Sequence, residues 1–197
     1  MKRVAVLVSG GGTNLQALLE SERRGENPDG KIVLVVASKP GVYALERAAN
    51  FGVEGAVVAR KAYADSEAFD AALLETLRSH AIDVVVLAGF LSVLGPRVIA
   101  AYRGRILNVH PSLIPSFCGP GYYGLRVHEA ALARGVKVTG ATVHLVNEEC
   151  DGGPILLQKA VEVRPDDTPE SLQKRVMVEA EWQLLPRALA MVCSEEV

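Results

Sequence analysis

Two side chains able to handle protons and negative charge stand two residues apart in RILNVHPSLIP (105 to 115), namely the amide of Asn108 and the imidazole of His110. In an extended segment, residues i and i+2 project from the same face, so this spacing aims both groups at one point. An amide N–H suits a developing oxyanion, and an imidazole exchanges protons near neutral pH. The prolines that follow make a rigid turn behind them. The alternative reading, two hydrogen-bonded polar residues trimming a strand end, explains neither their joint position nor that turn. An imidazole used this way needs a carboxylate to favour its charged form. Asp151 in CDGGP is the best placed, because two glycines leave its loop exposed and mobile enough to close over a site. Glu148 and Glu149 read as solvated turn residues. His144 stands equally for a group supporting the site and for a structural histidine. His80 reads as a helix C-terminal residue. His128 opens HEAAL, which lacks the second His of a metalloprotease helix, and reads as helix surface. No serine sits in a G-x-S-x-G elbow and no cysteine in a nucleophile motif, so neither covalent catalysis nor a metal is expected.

A second constellation is the turn SGGGTN (9 to 14). It joins the end of an apolar run to the start of a helical pattern, the ligand edge of an open α/β sheet. Glycines allow close backbone approach, and the unpaired N–H groups of a helix start favour an anion. The turn lacks the Lys of a Walker loop and the G-x-G-x-x-G of a dinucleotide site, so a small phosphate fits it better.

The elements that must position these groups are legible as periodicity. Val4–Val8, residues 31–38 and residues 82–90 are continuous apolar runs, the pattern of strands buried on both faces. A shorter strand is expected at Ala56–Val58, and RILNVH is the fifth. Helical spacing follows the first turn and recurs over Tyr43–Asn50, over Ser66–His80 with Asp65 or Ser66 as cap, and near Pro96–Tyr102. VTGATVHLV (138 to 146) instead alternates, with Gly140, Thr142 and His144 on its polar side. With PILLQKAVEV (154 to 163) it predicts an antiparallel pair. Thr168 and Pro169 then open a long helix. These elements predict a single-domain α/β protein with a Rossmann-like open sheet, mostly parallel, extended by an antiparallel C-terminal pair.

The composition excludes several classes. With 21 Lys+Arg against 23 Asp+Glu the net charge is -2, without the basic patch of a nucleic-acid binder. Three cysteines, Cys118, Cys150 and Cys193, show no C-x-x-C pairing and suggest a reducing, cytoplasmic setting. The apolar run after MKR is too short for a signal peptide, and no stretch approaches the roughly 18 apolar residues of a membrane helix.

Taken together, SGGGTN, VVLAGFLSVL (85 to 94), ILNVHPSLIPSF (106 to 117), TGATVHLV (139 to 146) and DGGPILLQ (151 to 158) resemble, in order and over nearly the whole chain, the phosphoribosylglycinamide formyltransferase family. The resemblance implies the formyltransferase fold over 1–197, with a ribotide-binding N-terminal half and a folate-binding C-terminal half. It implies 10-formyltetrahydrofolate as co-substrate without a metal, and glycinamide ribonucleotide as acceptor in purine biosynthesis. The partners are then small molecules rather than nucleic acid or membrane, for a monomer or homodimer. It assigns catalysis to Asn108, His110 and Asp151, and the ribotide to Gly11, Gly12, Thr13, Asn14 and Glu181. It assigns the folate to Leu87, Leu91, Ser92, Val93, Leu94, Asn108, Val146 and Asn147. The chain departs from the family pattern in three places. Ser66 stands where an Arg is frequent, leaving Arg60 or Lys61 to replace it; the 118–126 segment is longer; and Trp182 takes the place of a His. A formyl-folate hydrolase, a methionyl-tRNA formyltransferase and a non-catalytic folate or phosphosugar binder remain as alternatives.

Overall fold

The computed structural model describes residues 1–196. Five strands pair in parallel: β1 (Lys2–Val8), β2 (Gly30–Ala37), β3 (Glu54–Val57), β4 (Val84–Leu87) and β5 (Ile106–His110). Then β6 (Val138–Leu145) runs antiparallel to β5, and β7 (Ile155–Glu162) antiparallel to β6. The order across the sheet is β3-β2-β1-β4-β5-β6-β7. The chain first winds outward from β1 to β3, then returns to β1's other side with β4. The order therefore reverses between β1 and β4, where the carboxyl ends of such a sheet leave a crevice.

The alternation of side chains along β1 divides its apolar residues between two cores. Val4, Val6 and Val8 pack with Leu15, Leu18 and Leu19 of α1 (Thr13–Arg23) and with Leu185 and Leu189 of α7 (Trp182–Cys193). Ala5 and Leu7 pack on the opposite face with Phe69, Leu73 and Leu77 of α3 (Ser66–Ser79) and with Val98 and Ile99 of α4 (Pro96–Ala101). Each such buried Leu, Val or Phe contributes about 1.5–3 kcal/mol relative to exposure, so covering both faces is what fixes the strand positions. The remaining helices are α2 (Tyr43–Asn50), α5 (Leu125–Arg134) and α6 (Pro169–Val176). Among the described residues no helix is long and apolar enough to cross a membrane.

Three local expectations are corrected. The apolar run 82–90 pairs only over Val84–Leu87, because Gly89, at φ +72°, turns the chain outward. The following residues become a wall rather than a strand. That wall is anchored where α4 begins, since Asp70, 1% exposed, accepts from the backbone N–H of Arg97 at 2.8 Å and of Val98 at 3.3 Å. In β6 both sides are buried: Thr142 and His144 are as covered as Ala141 and Val143, and the Thr142 hydroxyl bonds to Ser112 and Ile114 of the turn after β5. His128 is not on a helix surface but fully buried in α5, with neither ring nitrogen hydrogen-bonded. Finally, the long C-terminal helix is interrupted by a π-helical turn, Met177–Glu181, ahead of Pro186. Proline lacks the N–H that a regular helix would use there, and the widened turn re-aims the residues beside it.

Candidate active site

Asn108 and His110 do share one face of β5, and the antiparallel partner strand completes the group. Register places Asn108 opposite His144 and His110 opposite Thr142. Asn108 Nδ2 lies 3.1 Å from His144 Nε2 and donates to Asp151 Oδ1 at 3.4 Å. Asp151 Oδ2 accepts from the Gly119 N–H at 2.9 Å. His110 Nδ1 lies 3.6 Å from Asp151 Oδ2, and His144 Nε2 lies 3.6 Å from Asp151 Oδ1. One carboxylate thus faces two imidazoles at separations that leave room for rearrangement when a ligand arrives.

The backbone assigns the protons. His110 Nε2 sits 2.8 Å from the Phe117 carbonyl, which only accepts, so Nε2 carries hydrogen and Nδ1 is the nitrogen that gains a proton facing Asp151. His144 Nδ1 likewise donates to the Leu145 carbonyl at 2.9 Å, which turns Nε2 toward Asn108 Nδ2 and Asp151 Oδ1. Burial by itself would raise the Asp151 carboxyl. The His144 hydrogen bond, the Gly119 amide and the charges of the two imidazoles outweigh it and hold the carboxyl below its ordinary value. Asp151 is therefore ionised at neutral pH, and its negative charge faces His110.

The loop holding Asp151 works differently from the expectation of mobility. Asp151 adopts φ +55°, which Asp tolerates better than most residues, and Gly153 is buried where any Cβ would be driven into the Leu145 carbonyl. Glycine at 153 permits close approach and thereby fixes the carboxylate. The rigid turn after His110 is pinned through Thr142, whose hydroxyl donates to the Ser112 carbonyl at 2.7 Å and accepts from the Ile114 N–H at 3.1 Å. The Ile114–Pro115 bond in that turn is cis.

These groups lie beside a cleft of about 550 Å3. Leu87, Leu91, Ser92, Val93, Leu94, Asn108, Val146 and Asn147, the residues assigned to the folate, all line it, together with Asp151, His110 and His144. Such a cavity has the size and the mixture of apolar wall and converging polar groups typical of a small-molecule site.

Gly11, Gly12, Thr13 and Asn14 form the β1–α1 turn. Gly12 takes φ +74° at the start of α1, and a Cβ there would stand 2.7 Å from that of Ala44. No side chain caps α1, so its first amides point outward. Asn14 donates to Glu181 Oε2 at 2.8 Å, which joins this turn to the π-helical turn. Burial pushes the Glu181 carboxyl up to about 7, partly opposed by the Asn14 bond. The helix glutamate is hidden rather than solvent-facing.

Two participants are not apparent from sequence, and a third stands there between two readings. Ser9 accepts from the Leu91 N–H at 2.9 Å, tying the glycine turn to the cleft wall. Arg47 donates to the Gly11 carbonyl at 2.7 Å and brings a cation to the turn. His144, for which a supporting and a structural role stood equally, lies within the polar cluster. All three contacts bridge separate elements, so only the Ser9 position in SGGGTN carried a local signal. Of the two basic residues near Ser66, Arg60 donates to its hydroxyl at 3.2 Å and so occupies that corner.

The chain matches the formyl transferase family over residues 2–189. Phosphoribosylglycinamide formyltransferase of Haemophilus influenzae is 40% identical over 94% of this chain and 84% of its own length. The human trifunctional purine biosynthetic protein adenosine-3 is 43% identical over 99% of this chain, which spans only 19% of that protein. Glycinamide ribonucleotide transformylase 1 of Symbiobacterium toebii superimposes with a TM-score of 0.93 at 42% identity, covering 99% of this chain and 89% of that one. On both sequence and fold, the chain belongs to the formyl transferase family, among the phosphoribosylglycinamide formyltransferases.

Proposed function

We propose that the protein transfers the formyl group of 10-formyltetrahydrofolate to the glycine amine of 5-phosphoribosylglycinamide in de novo purine biosynthesis. The observation that carries this reading is the convergence of Asn108, His110, His144 and an ionised Asp151 on a largely apolar cleft. Attack of the amine on the formyl carbon creates a tetrahedral oxyanion. Asn108 can meet it with the N–H now engaged in the long 3.4 Å bond to Asp151, the weakest bond of the cluster. Protonated His110, stabilised by Asp151, supplies the second donor, and it relays the amine's proton toward the folate nitrogen directly or through water. The transfer is direct, with no covalent enzyme intermediate.

The first amides of α1, with Gly11, Gly12, Thr13 and Asn14, hold the ribotide phosphate, and Glu181 accepts from ribotide hydroxyls. The pteridine occupies the wall Leu87–Leu94 and the 146–147 backbone. In this reading the chain works as one cytoplasmic catalytic unit, monomer or homodimer, whose first half binds ribotide and whose second half binds folate.

The test follows deformylation of 10-formyltetrahydrofolate by absorbance, with glycinamide ribonucleotide and without it. Turnover only with the ribonucleotide is expected; equal turnover without it would make water the acceptor, and no turnover in either condition would leave a binding protein. His110→Ala is expected to lower kcat by about 100-fold or more, the loss typical of removing an oxyanion donor or general acid–base group, with ribonucleotide affinity nearly intact. Undiminished turnover in that variant would refute the mechanism.

A further inference from the structure

The glycine turn after β1 and the cleft wall after β4 belong to different loops, and a buried hydroxyl joins them. Ser9, 6% exposed at the end of β1, accepts from the Leu91 N–H at 2.9 Å and from the Ser38 hydroxyl at 2.7 Å. Both of its lone pairs are thereby engaged. Ser38 is itself fixed at the end of β2, where its N–H donates to the Val8 carbonyl at 2.9 Å. The Ser9–Leu91 bond spans the crevice between β1 and β4, where the sheet order reverses.

The wall is tied at its ends and in its middle. It begins at Ala88, whose N–H donates to the Leu7 carbonyl at 2.9 Å, and it ends where Asp70 accepts from the Arg97 N–H. Between them the Leu91 backbone is held by Ser9, while the Leu91 and Val93 side chains stand 64% and 88% exposed. Side chains this open gain little from packing, so backbone bonds decide where the segment stands.

The turn is held from its other side by α2. The Gly10 carbonyl accepts from the Ala44 N–H at 3.2 Å, and the Gly11 carbonyl accepts from Arg47 Nε at 2.7 Å. With the carbonyls taken and α1 uncapped, the first amides of α1 are free for an anion. An anion seated there restrains the glycines that adjoin Ser9, the residues with the most conformational freedom to lose.

We propose that Ser9 is a positioning residue that couples the two substrate sites, so that phosphate bound at the glycine turn steadies the Leu91 amide and prepares the wall for the formyl donor. The inference rests on the formyl-transfer reading above, which puts the ribotide phosphate on the turn and the folate on the wall. Both ligands favour the same arrangement of Ser9 and Leu91, so each reduces the ordering that the other must supply. By linkage the donor tightens the ribonucleotide by the same factor. A coupling carried by one neutral hydrogen bond amounts to about 2- to 12-fold.

The experiment uses the full chain and tetrahydrofolate, which has no formyl group to transfer. Calorimetric titration measures its affinity alone, with saturating ribonucleotide and with saturating inorganic phosphate, and hydrogen exchange follows the 88–94 backbone in the same states. Inorganic phosphate reaches the turn without touching the donor, so coupling that it produces cannot be contact between the two ligands. In the parent, ribonucleotide is expected to tighten tetrahydrofolate about 2- to 12-fold and to slow exchange at the Leu91 amide, and phosphate alone is expected to do part of both. Ser9→Ala should bring the factor to about 1 and abolish the slowing, whereas Ser9→Thr, which keeps the hydroxyl, should retain both. Ser38→Ala keeps the Ser9 acceptor but removes the bond that orients it; it should reduce the factor and serves as the test if Ser9→Ala does not fold. Parental coupling in Ser9→Ala, or in Ser38→Ala where that is the test, would overturn the proposal. Coupling by the ribonucleotide with none by phosphate would overturn the route through the turn. A parent that binds both ligands with no coupling would overturn the proposal while leaving formyl transfer standing. A parent that binds neither would overturn the formyl-transfer reading and the coupling together.

Discussion

Glu181 offers a stability measurement that reads a functional group without any substrate. Its side chain is 6% exposed, and its hydrogen-bond partner is Asn14 Nδ2 at 2.8 Å. With burial raising the carboxyl from 4.5 to about 7, the folded protein keeps a proton that the unfolded chain releases near 4.5. Between those two values the folded state binds more protons, so stability falls as pH rises, and the loss is complete above about 7. At about 1.4 kcal/mol per pH unit the full effect is on the order of 3 kcal/mol. Glu181→Gln keeps the shape and an acceptor for Asn14 but cannot ionise. Urea unfolding of both proteins at pH 4.5 and pH 8 is expected to give similar stabilities at the lower pH. At pH 8 the variant should be more stable by about 3 kcal/mol, a large fraction of a typical domain's stability. It should also bind the ribonucleotide more weakly. A stability difference between the two proteins that is the same at both pH values would refute the argument that Glu181 is buried and unpaired by charge.

Three further outcomes follow from the same geometry. Asp151→Asn should lower kcat by about 100-fold through loss of the anion facing His110, and because the Asp151 carboxyl lies below its ordinary value, no pH–rate step between pH 5 and 8 belongs to it. An Asp151→Asn variant with the parental kcat would contradict this. His128 is buried and held neutral, mainly by burial and secondarily by His110, down to about 4. Stability attributable to it is therefore present above 6.5 and lost as pH falls toward 4. His128→Leu should remove up to about 3 kcal/mol of acid sensitivity, measured by urea unfolding at pH 7 and pH 4.5, and parent-like acid sensitivity in the variant would count against it. Gly12→Ala forces a side chain into φ +74° and against Ala44, and should cost about 1–2 kcal/mol of stability and weaken phosphate binding, read by thermal unfolding and by titration with inorganic phosphate. An unchanged Tm would show that the turn relaxes.

The parallel strands, the glycine turn and the Asn108–His110 pair were legible because each depends on short-range pattern: continuous β-branched runs, a strand-to-helix turn, and the two-residue repeat of an extended chain. Asp151 was legible as a type of residue needed, although the reason for its glycines was not, since Gly153 answers to the Leu145 carbonyl across the hairpin. His128 was misread for a related reason. A histidine among alanines in a helical pattern shows which residues share its face, but not whether another layer of the protein covers that face.

What the sequence by itself determined is therefore the class of sheet, the order of its elements and the residue types able to stabilise an oxyanion and bind an anion. Tertiary structure alone decided which of those groups meet. Register between β5 and β6 brought His144 onto Asn108, the π-helical turn delivered Glu181 to Asn14, and two separate loops set Tyr122 and Tyr123 in the same cleft as Leu91 and Val93. Periodicity encodes the direction of a side chain relative to its own element. The distance between elements is set by packing of the whole chain, and it is at those distances that desolvation and charge act.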